Sequence, residues 1–348
     1  MKYVKIKGTG SYLPGEPISN DNLCTLFGID EWILENLGIN NRYWSVDIKT
    51  TELTKKGYEM AAEASKKAIS SAGLESKEID TLILVTAVPD YLMPNSAVMV
   101  QEKLGISECN VLELHAACAG SMQALEMAYN AVCCGKSQNA LICCFNLMSP
   151  TSIRELSAER RNNISTLDLL NVCMFGDGAS AIVVSASDEP GILYVANNSV
   201  GLGRKPGMML LAGAAVYPYS NDVIDKGLDK WQHDANAILK YGRGLSQRAL
   251  KEMLTTTGKK YSDISYYIFP QANPAMLKED IKSLSKLEDF PATRIYMNVD
   301  RIGNTSTPAL FIALDELNSQ GKLHSGELIS IVGGEASKWM YGSVLIKW

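Results

Sequence analysis

The chain has 348 residues, of which 46% are hydrophobic and 20% charged, with a formal net charge of −5 at pH 7. This length predicts two core-forming halves, and the acidic balance argues against a nucleic-acid-binding surface. No apolar run approaches the roughly 18 residues that span a bilayer, and no signal-peptide pattern precedes the first strand, so we expect a cytoplasmic protein without membrane contact. Three His and eight Cys without metal-ligand spacing predict reduced thiols and no metal site.

The first half alternates between strand and helix patterns. Alternating residues predict a strand over 1–13, and an Ala-lined stripe predicts a helix over 57–72 that lies flat on a sheet. Apolar runs at 79–86 and 140–145 predict strands buried in a parallel sheet. The polar stretch 149–168 is expected to be a surface excursion.

Cys118 follows a short apolar run and precedes a helical pattern that ends near Gly135. We therefore expect its thiol in the first turn of a helix, where free N–H groups and the helix dipole would lower the thiol pKa. Small neighbours would let a substrate approach closely. The alternative is a buried core cysteine without chemistry.

One spacing between a glycine and the start of a strand occurs twice along the chain. Gly73 precedes Ile79 by six residues, and Gly258 precedes Ile264 by the same six. The second half is expected to begin with a strand at 191–195 and to contain a helix over 236–254.

A second spacing repeats with the same offset of 185 or 186 residues. Cys118 precedes Gly135 by seventeen residues, and Asn304 precedes Gly321 by seventeen. The repeat predicts two β-α-β-α-β halves, 1–185 and 186–348, with mostly parallel sheets around a pseudo-two-fold axis.

In this arrangement Asn304 occupies the symmetry-equivalent helix start. Two helix N-termini would then present the Cys118 thiol and the Asn304 amide to one central site. The competing interpretation is a pair of structural helix caps, since Asn is a common N-cap residue.

Several motifs across nearly the whole chain resemble the β-ketoacyl-ACP synthase III family of the thiolase superfamily. They are Asp30-Glu31-Trp32 with Gly38-Ile39-x-x-Arg42, Ala116-Ala117-Cys118-Ala119-Gly120, Phe175-Gly176-Asp177-Gly178-Ala179, Gln271-Ala272-Asn273, Gly303-Asn304-Thr305-Ser306 and Gly333-Gly334. The resemblance implies a five-layer αβαβα fold and a homodimer. It also implies acyl-CoA or acyl-carrier protein as substrate and no separate cofactor.

The resemblance assigns expected roles to single residues. Cys118 is the expected nucleophile that forms an acyl-enzyme, and its own N–H with that of Gly333 or Gly334 would form the oxyanion hole. Met93 matches the residue that lines the partner subunit's acyl pocket, and Trp32 matches the residue that stacks on the CoA adenine. Asn273 is expected among the substrate-binding residues.

The chain departs from the family pattern where the catalytic His is expected. The family reads Pro-His-Gln-Ala-Asn, whereas Pro270 stands at the His position here. Proline offers no base and no hydrogen-bond donor, and the loss of one oxyanion donor costs roughly 10²–10³ in rate. We therefore expect malonyl decarboxylation to suffer most and acyl transfer from a thioester to suffer least.

Other departures indicate a reshaped site. Asn36 replaces an Arg that often helps to hold CoA, and Ala214 and Ala215 replace polar residues of the pantetheine tunnel. The segment after Gly334, which begins with Glu335, is longer than the usual link.

Two residues are candidates to replace the missing base. His115 lies three positions before Cys118, and Glu335 follows a predicted oxyanion-hole glycine. The alternatives are a packed strand histidine and a solvated rim carboxylate. His233 and His324 are expected to be solvated.

Basic residues fall along one predicted helix of the second half, namely Arg243, Arg248 and Lys251. They are expected either to dock an acidic carrier protein or to form a solvated face.

The sequence thus favours a thioester-dependent acyltransferase or condensing enzyme of fatty-acid-like, polyketide or specialised metabolism. The acyl group would pass from Cys118 to a carbon, amine or hydroxyl nucleophile. The alternative is a non-catalytic or assisting subunit of a heteromeric ketosynthase.

Overall fold

A computed structural model describes residues 3–161, 164–210, 229–242 and 244–348. The strands of the first half are β1 (Tyr3–Tyr12), β2 (Ile18–Ser19), β3 (Asn41–Arg42), β4 (Thr81–Thr86), β5 (Asn110–His115), β6 (Asn139–Asn146) and β7 (Gly178–Ser187). The helices of this half are α1 (Asn20–Phe27), α2 (Glu31–Leu37), α3 (Gly57–Ser71), α4 (Ser96–Leu104), α5 (Gly120–Cys133), α6 (Ser149–Glu155), α7 (Ala158–Arg161) and α8 (Thr166–Met174).

The second half repeats the main elements of the first. Its strands are β8 (Ile192–Ser199), β9 (Met208–Leu210), β10 (Trp231–His233), β11 (Tyr266–Ile268), β12 (Ile295–Tyr296), β13 (Leu328–Gly334) and β14 (Met340–Lys347). Its helices are α9 (Ala235–Ala237), which continues into a π-helical turn over Ile238–Gly242, α10 (Leu245–Thr257), α11 (Pro274–Leu284), α12 (Val299–Ile302) and α13 (Ala309–Ser319).

Two five-stranded sheets have the same strand order and the same directions. The first runs β1-β7-β6-β4-β5, and the second runs β8-β14-β13-β11-β12. In each sheet the last three strands are parallel, whereas β7 and β14 lie antiparallel to both neighbours. The internal repeat is therefore confirmed.

The expectation of mostly parallel sheets holds for strand direction, since four of the five strands in each sheet run the same way. It misses β7 and β14, which run against the others, so that half of the neighbouring strand pairs are antiparallel. Each half ends on a strand that returns beside its predecessor without a crossover helix over the sheet, which an antiparallel pair permits. The repeating unit is also longer than β-α-β-α-β, since a third helix and two further strands, the last of them antiparallel, belong to it.

The layers are set by which apolar side chains each helix offers. α5 and α13 lie between the sheets and contribute residues such as Leu125 and Leu314 to one central core. α3 and α4 cover the outer face of the first sheet, and α10 and α11 cover that of the second. The Ala-lined face of α3 lies so close to β1 that a Cβ on Gly10 would clash with the backbone of Ala64. The result is the expected five-layer αβαβα fold.

Three boundary expectations need correction. The stretch 149–168 contains α6, α7 and part of α8 and buries Ser149, Ser152 and Glu155, so it is not a polar surface excursion. The helix expected over 236–254 is interrupted at Gly244, whose φ of 80° ends the preceding turn and begins α10. The boundary placed after residue 185 falls within β7, which continues to Ser187. In the part of the chain that the structure describes, none of the helices is both long and apolar enough to cross a membrane.

Candidate active site

The residues just before α5 contact the residues just before α13. Cys118 precedes Gly120, the first residue of α5, and its Sγ atom lies 3.6 Å from the Ser306 Oγ atom. The Thr307 hydroxyl donates to the carbonyl of Ala116 at 3.3 Å. These contacts join residues that are about half the chain apart, so the predicted convergence of the two helix starts is present in the structure.

Asn304 does not occupy the helix start itself, contrary to the expectation. α13 begins only at Ala309, and Asn304 pairs with Phe175 in an isolated bridge. The offset of 186 residues holds at the ends of α5 and α13 but not at their starts, because α13 is shorter. Ser306 and Thr307 therefore contact Cys118 and Ala116, which precede α5.

The backbone holds the Asn304 side chain in a fixed orientation. Its N–H donates to the Met174 carbonyl at 2.9 Å, and its carbonyl accepts from Gly176 at 3.0 Å. The Asn304 Oδ1 atom accepts the N–H of Ser306 at 2.7 Å. Since Oδ1 is engaged, the amide group is the part of this buried side chain that remains to donate to a ligand.

Cys118 keeps part of its surface exposed, but protein atoms surround its thiol closely enough to strip it of water. Burial raises its pKa to about 11, a hydrogen bond with Ser306 acts in the opposite direction, and the nearby charge of Glu335 raises the pKa further. Its own N–H also favours the thiolate. The expectation of a lowered thiol pKa is therefore wrong, because desolvation outweighs the stabilisation offered by the helix start.

The carboxyl end of β13 packs directly on the first turn of α5. A Cβ on Gly333 would lie 2.8 Å from Met122 Cγ and 3.6 Å from the Cα of Ala119, so only glycine fits there. Gly334 follows at the strand end. This packing brings the Gly333-Gly334 backbone beside the residues that flank Cys118, which is where an oxyanion-hole N–H is required.

Glu335 turns inward after β13 and is only 5% exposed. Ser337 donates a hydrogen bond to its Oε1 atom. Burial raises the carboxyl pKa, and the Ser337 hydroxyl and the N–H groups of Ala119, Ala117 and Lys338 oppose that rise. The alternative of a solvated rim carboxylate is therefore wrong.

Pro270 lies close to the Gly334 strand end. Its Cγ atom would be 3.8 Å from a Cβ placed on Gly334. Pro270 follows β11, which is paired in parallel with β13, so the ends of both strands reach the same edge. The structure thus has a pyrrolidine ring beside this strand end, where the resemblance led us to expect an imidazole.

The three histidines lie elsewhere. His115 is the exposed last residue of the edge strand β5, and none of the interactions of the Cys118 thiol with described residues involves it. His324 is exposed as expected, whereas His233 is half-buried and burial lowers its pKa. The expectation that His233 is solvated is therefore wrong.

The expected substrate-binding residues occupy three separate positions. Trp32 on α2 is 57% exposed, and Met93, in the loop before α4, is 87% exposed. Asn273 caps α11, where its Oδ1 atom accepts the N–H of Met276 at 2.9 Å. Asn36 is exposed and donates to the carbonyl of Trp32 at 2.7 Å.

The basic helix face is only partly described. Lys251 is exposed on α10, and Arg248 on the same helix pairs with Glu252 at 2.8 Å and lies over the ring of Tyr341. Arg243, Ala214 and Ala215 lie outside the described residues.

Ser306 was missed as a site residue by sequence reasoning, which read Gly303-Asn304-Thr305-Ser306 only for its amide. The signal was the run of three hydroxyl residues after Asn304. Ser306 has a left-handed backbone with φ of 55°, which is unusual for a residue other than glycine and points its side chain at the thiol.

Comparison with known proteins identifies the family. Family models of 3-oxoacyl-[acyl-carrier-protein] synthase III match residues 112–201, and models of its C-terminal part match residues 254–348. The β-ketoacyl-[acyl-carrier-protein] synthase III of Neisseria meningitidis serogroup C is 30% identical over 355 aligned positions that cover all of both chains. The chain belongs to the β-ketoacyl-ACP synthase III family. It is an acyl-transferring enzyme of the β-ketoacyl synthase III type.

Solved structures of this family and of related condensing enzymes share the fold. AbyA1, a tetronic acid condensing enzyme, superposes with a TM-score of 0.87 at 25% identity, covering 99% of this chain and 100% of its own. The synthase III of Pseudomonas aeruginosa gives 0.82 at 25% identity, covering 100% and 98%. The priming β-ketosynthase of the R1128 polyketide pathway gives 0.81 at 26% identity, covering 99% and 96%.

Proposed function

We propose that the chain takes an acyl group from a thioester onto Cys118 and passes it to a carbon, amine or hydroxyl nucleophile. Two contacts support the proposal. The Cys118 sulfur lies 3.6 Å from the hydroxyl of Ser306, whose N–H is bound by the Asn304 side chain, and the Gly333-Gly334 strand end packs against the residues that follow Cys118. N–H groups at that place would stabilise the oxyanion that forms when sulfur attacks the thioester carbonyl.

The donor would be acyl-CoA or an acyl-carrier protein, and the reaction would need no separate cofactor. Trp32 is exposed on α2, where it is free to stack on an adenine, and Lys251 is exposed on α10, where an acidic carrier is a suitable partner. The exposed Met93 would line the acyl pocket of a partner subunit in a homodimer. Molar mass by light scattering tests the dimer.

Decarboxylative condensation is expected to be slow. With Pro270 beside Gly334, the described residues around Cys118 supply the Asn304 amide but no imidazole to hydrogen-bond an enolate oxygen. The acyl-transfer half of the reaction relies on the oxyanion hole, so it keeps most of its machinery.

Intact-mass measurement after incubation with acyl-CoA and with acyl-carrier protein tests the proposal. We expect a mass increase of one acyl group in the native chain and none in Cys118→Ala. No adduct with either kind of donor would reject acyl transfer through Cys118.

A second candidate is an assisting subunit that pairs with a complete ketosynthase. Pro270 at the imidazole position and the raised pKa of Cys118 favour it. In that case the chain would stay unacylated alone and would raise the activity of a partner synthase even as Cys118→Ala.

A further inference from the structure

The buried carboxyl of Glu335 lies near the residues that flank Cys118, and one of its two oxygens lacks a hydrogen-bond partner among the described residues. Its Oε1 atom accepts the hydroxyl of Ser337, whereas its Oε2 atom is buried without a hydrogen bond of normal geometry to any described residue. Burying an unpaired carboxylate oxygen costs free energy, so the free oxygen of Glu335 calls for an explanation.

The surroundings of Glu335 are those of the nucleophile. The N–H groups of Ala117 and Ala119, the residues on either side of Cys118, lie near enough to lower the pKa of the carboxyl. The charge of Glu335 in turn raises the pKa of the Cys118 thiol. The negative carboxylate repels a negative thiolate and attracts the proton of the thiol. The two groups are therefore suited to share one proton.

We propose that Glu335 is the proton acceptor of this site, a role for which Pro270 offers no group. This inference rests on the proposed acyl transfer. When sulfur attacks the thioester carbonyl, the Cys118 proton moves to Oε2 of Glu335. When the carbon–sulfur bond to the donor breaks, the carboxyl returns that proton to the leaving thiolate.

The second half of the reaction uses the same group in the same order. The Glu335 carboxylate takes the proton of the incoming nucleophile as it attacks the acyl carbon. The bond between that carbon and Cys118 breaks, and the proton returns to the sulfur. The cycle ends with a thiol and a carboxylate, as it began, so no other reactant is needed.

A purely structural role for Glu335 makes a different prediction. As a cap for the N–H groups of Ala117 and Ala119, its carboxylate would be replaced by the carboxamide of Gln with acylation retained, because the carboxamide oxygen still accepts hydrogen bonds but takes up no proton. Glu335→Gln therefore separates the two roles.

The test compares two reactions of the same sulfur. For Glu335→Gln we expect acylation of Cys118 by an acyl-CoA, followed by intact mass, to slow by roughly 10²-fold, the usual contribution of a general base. Alkylation of Cys118 by iodoacetamide should be unchanged or faster, since the repelling charge is gone. The acidic limb of the acylation pH profile should be lost as well.

Three variants complete the test. Glu335→Asp should recover part of the acylation rate, and Ser337→Ala should slow acylation less than Glu335→Gln because it only frees the carboxylate to turn. Glu288→Gln, an exposed charge removal, should leave both reactions unchanged.

The outcomes separate the inference from the function on which it rests. Acylation of Glu335→Gln at the native rate, or an equal loss of acylation and alkylation in a variant with the native melting temperature, would overturn the role of Glu335. If Glu335→Gln fails to fold, a folded Glu335→Asp that is acylated with no acidic limb in its pH profile would overturn it as well. Failure of the native chain to form any adduct rejects the proposed function instead.

Discussion

The Oγ atom of Ser306 lies 3.6 Å from the Sγ atom of Cys118, across 188 positions of sequence. The N–H of Ser306 donates to Asn304 Oδ1, and its φ of 55° turns the hydroxyl toward the thiol. Asn304 therefore affects the sulfur through Ser306 as well as through any contact with the substrate. The left-handed backbone of a non-glycine residue costs of order 1–3 kcal/mol, which the site tolerates in order to hold this hydroxyl.

Removal of the Ser306 hydroxyl should make the thiol harder to ionise. Because the hydroxyl favours the thiolate, Ser306→Ala should raise the pKa of Cys118 further and slow alkylation by iodoacetamide at pH 8 about tenfold, the equivalent of roughly 1.4 kcal/mol for a hydrogen bond to a charged group. Ser306→Gly loses the same hydroxyl but accepts the positive φ. An unaltered alkylation rate in Ser306→Gly would contradict the role of the hydroxyl.

The repeat is the part of the fold that spacing predicts best. Gly73 and Gly258, chosen only for their distance from a strand, have φ of 68° and 66° and each precedes a 3₁₀ turn and a strand of the parallel set. Turn glycines and buried strands are local features, so sequence carries them. The antiparallel direction of β7 and β14 depends on the strands with which they pair, and the local sequence pattern does not specify that pairing.

The electrostatics of the site were not predictable from the local sequence. The helix-start argument for Cys118 considered only its own first turn, whereas burial and the charge of Glu335, which is more than 200 positions away, decide the direction of the thiol pKa. The inward turn of Glu335 was equally hidden, because it depends on the packing of Gly333 against α5.

The rate of thiol chemistry at Cys118 should keep rising to high pH. With a pKa raised to about 11, the thiolate is the minor form at pH 7, and its fraction increases tenfold for each pH unit up to about 10. Alkylation of the Cys118 peptide by iodoacetamide, followed by mass spectrometry from pH 6 to 11, measures this directly. A plateau below pH 9 would show that the thiol ionises more easily than its burial implies.

An imidazole restored at position 270 should recover decarboxylation. Pro270→His places a donor beside the Gly334 strand end, where an enolate oxygen would need it, and we expect the release of CO₂ from a malonyl thioester to rise by up to roughly 10²-fold. Pro270→Ala, which removes the ring without supplying a donor, is the matched control. Equal CO₂ release from both variants would mean that the pocket has diverged by more than this one side chain.

Substitution of the buried Arg42 should lower the stability of the fold strongly. It donates to the carbonyls of Cys173, Ile18 and Ile39 and to Asn20 Oδ1, the last at 2.8 Å. Burial lowers its pKa to about 10, so it stays charged at neutral pH and depends on these four acceptors.

Arg42→Lys should therefore destabilise the fold even though the charge is kept. An ammonium group has no planar fork, so two or more buried acceptors would lose their partners at about 1–3 kcal/mol each. We expect a lower free energy of unfolding in urea and a lower melting temperature. Because the Cβ of Arg42 packs against Gly303, next to Asn304, acylation of Cys118 should fall as well.

The control is Arg248→Lys on the exposed face of α10, where loss of a surface pair should change stability by less than about 0.5 kcal/mol. Equal stability of the Arg42 and Arg248 variants would show that the four acceptors find other partners.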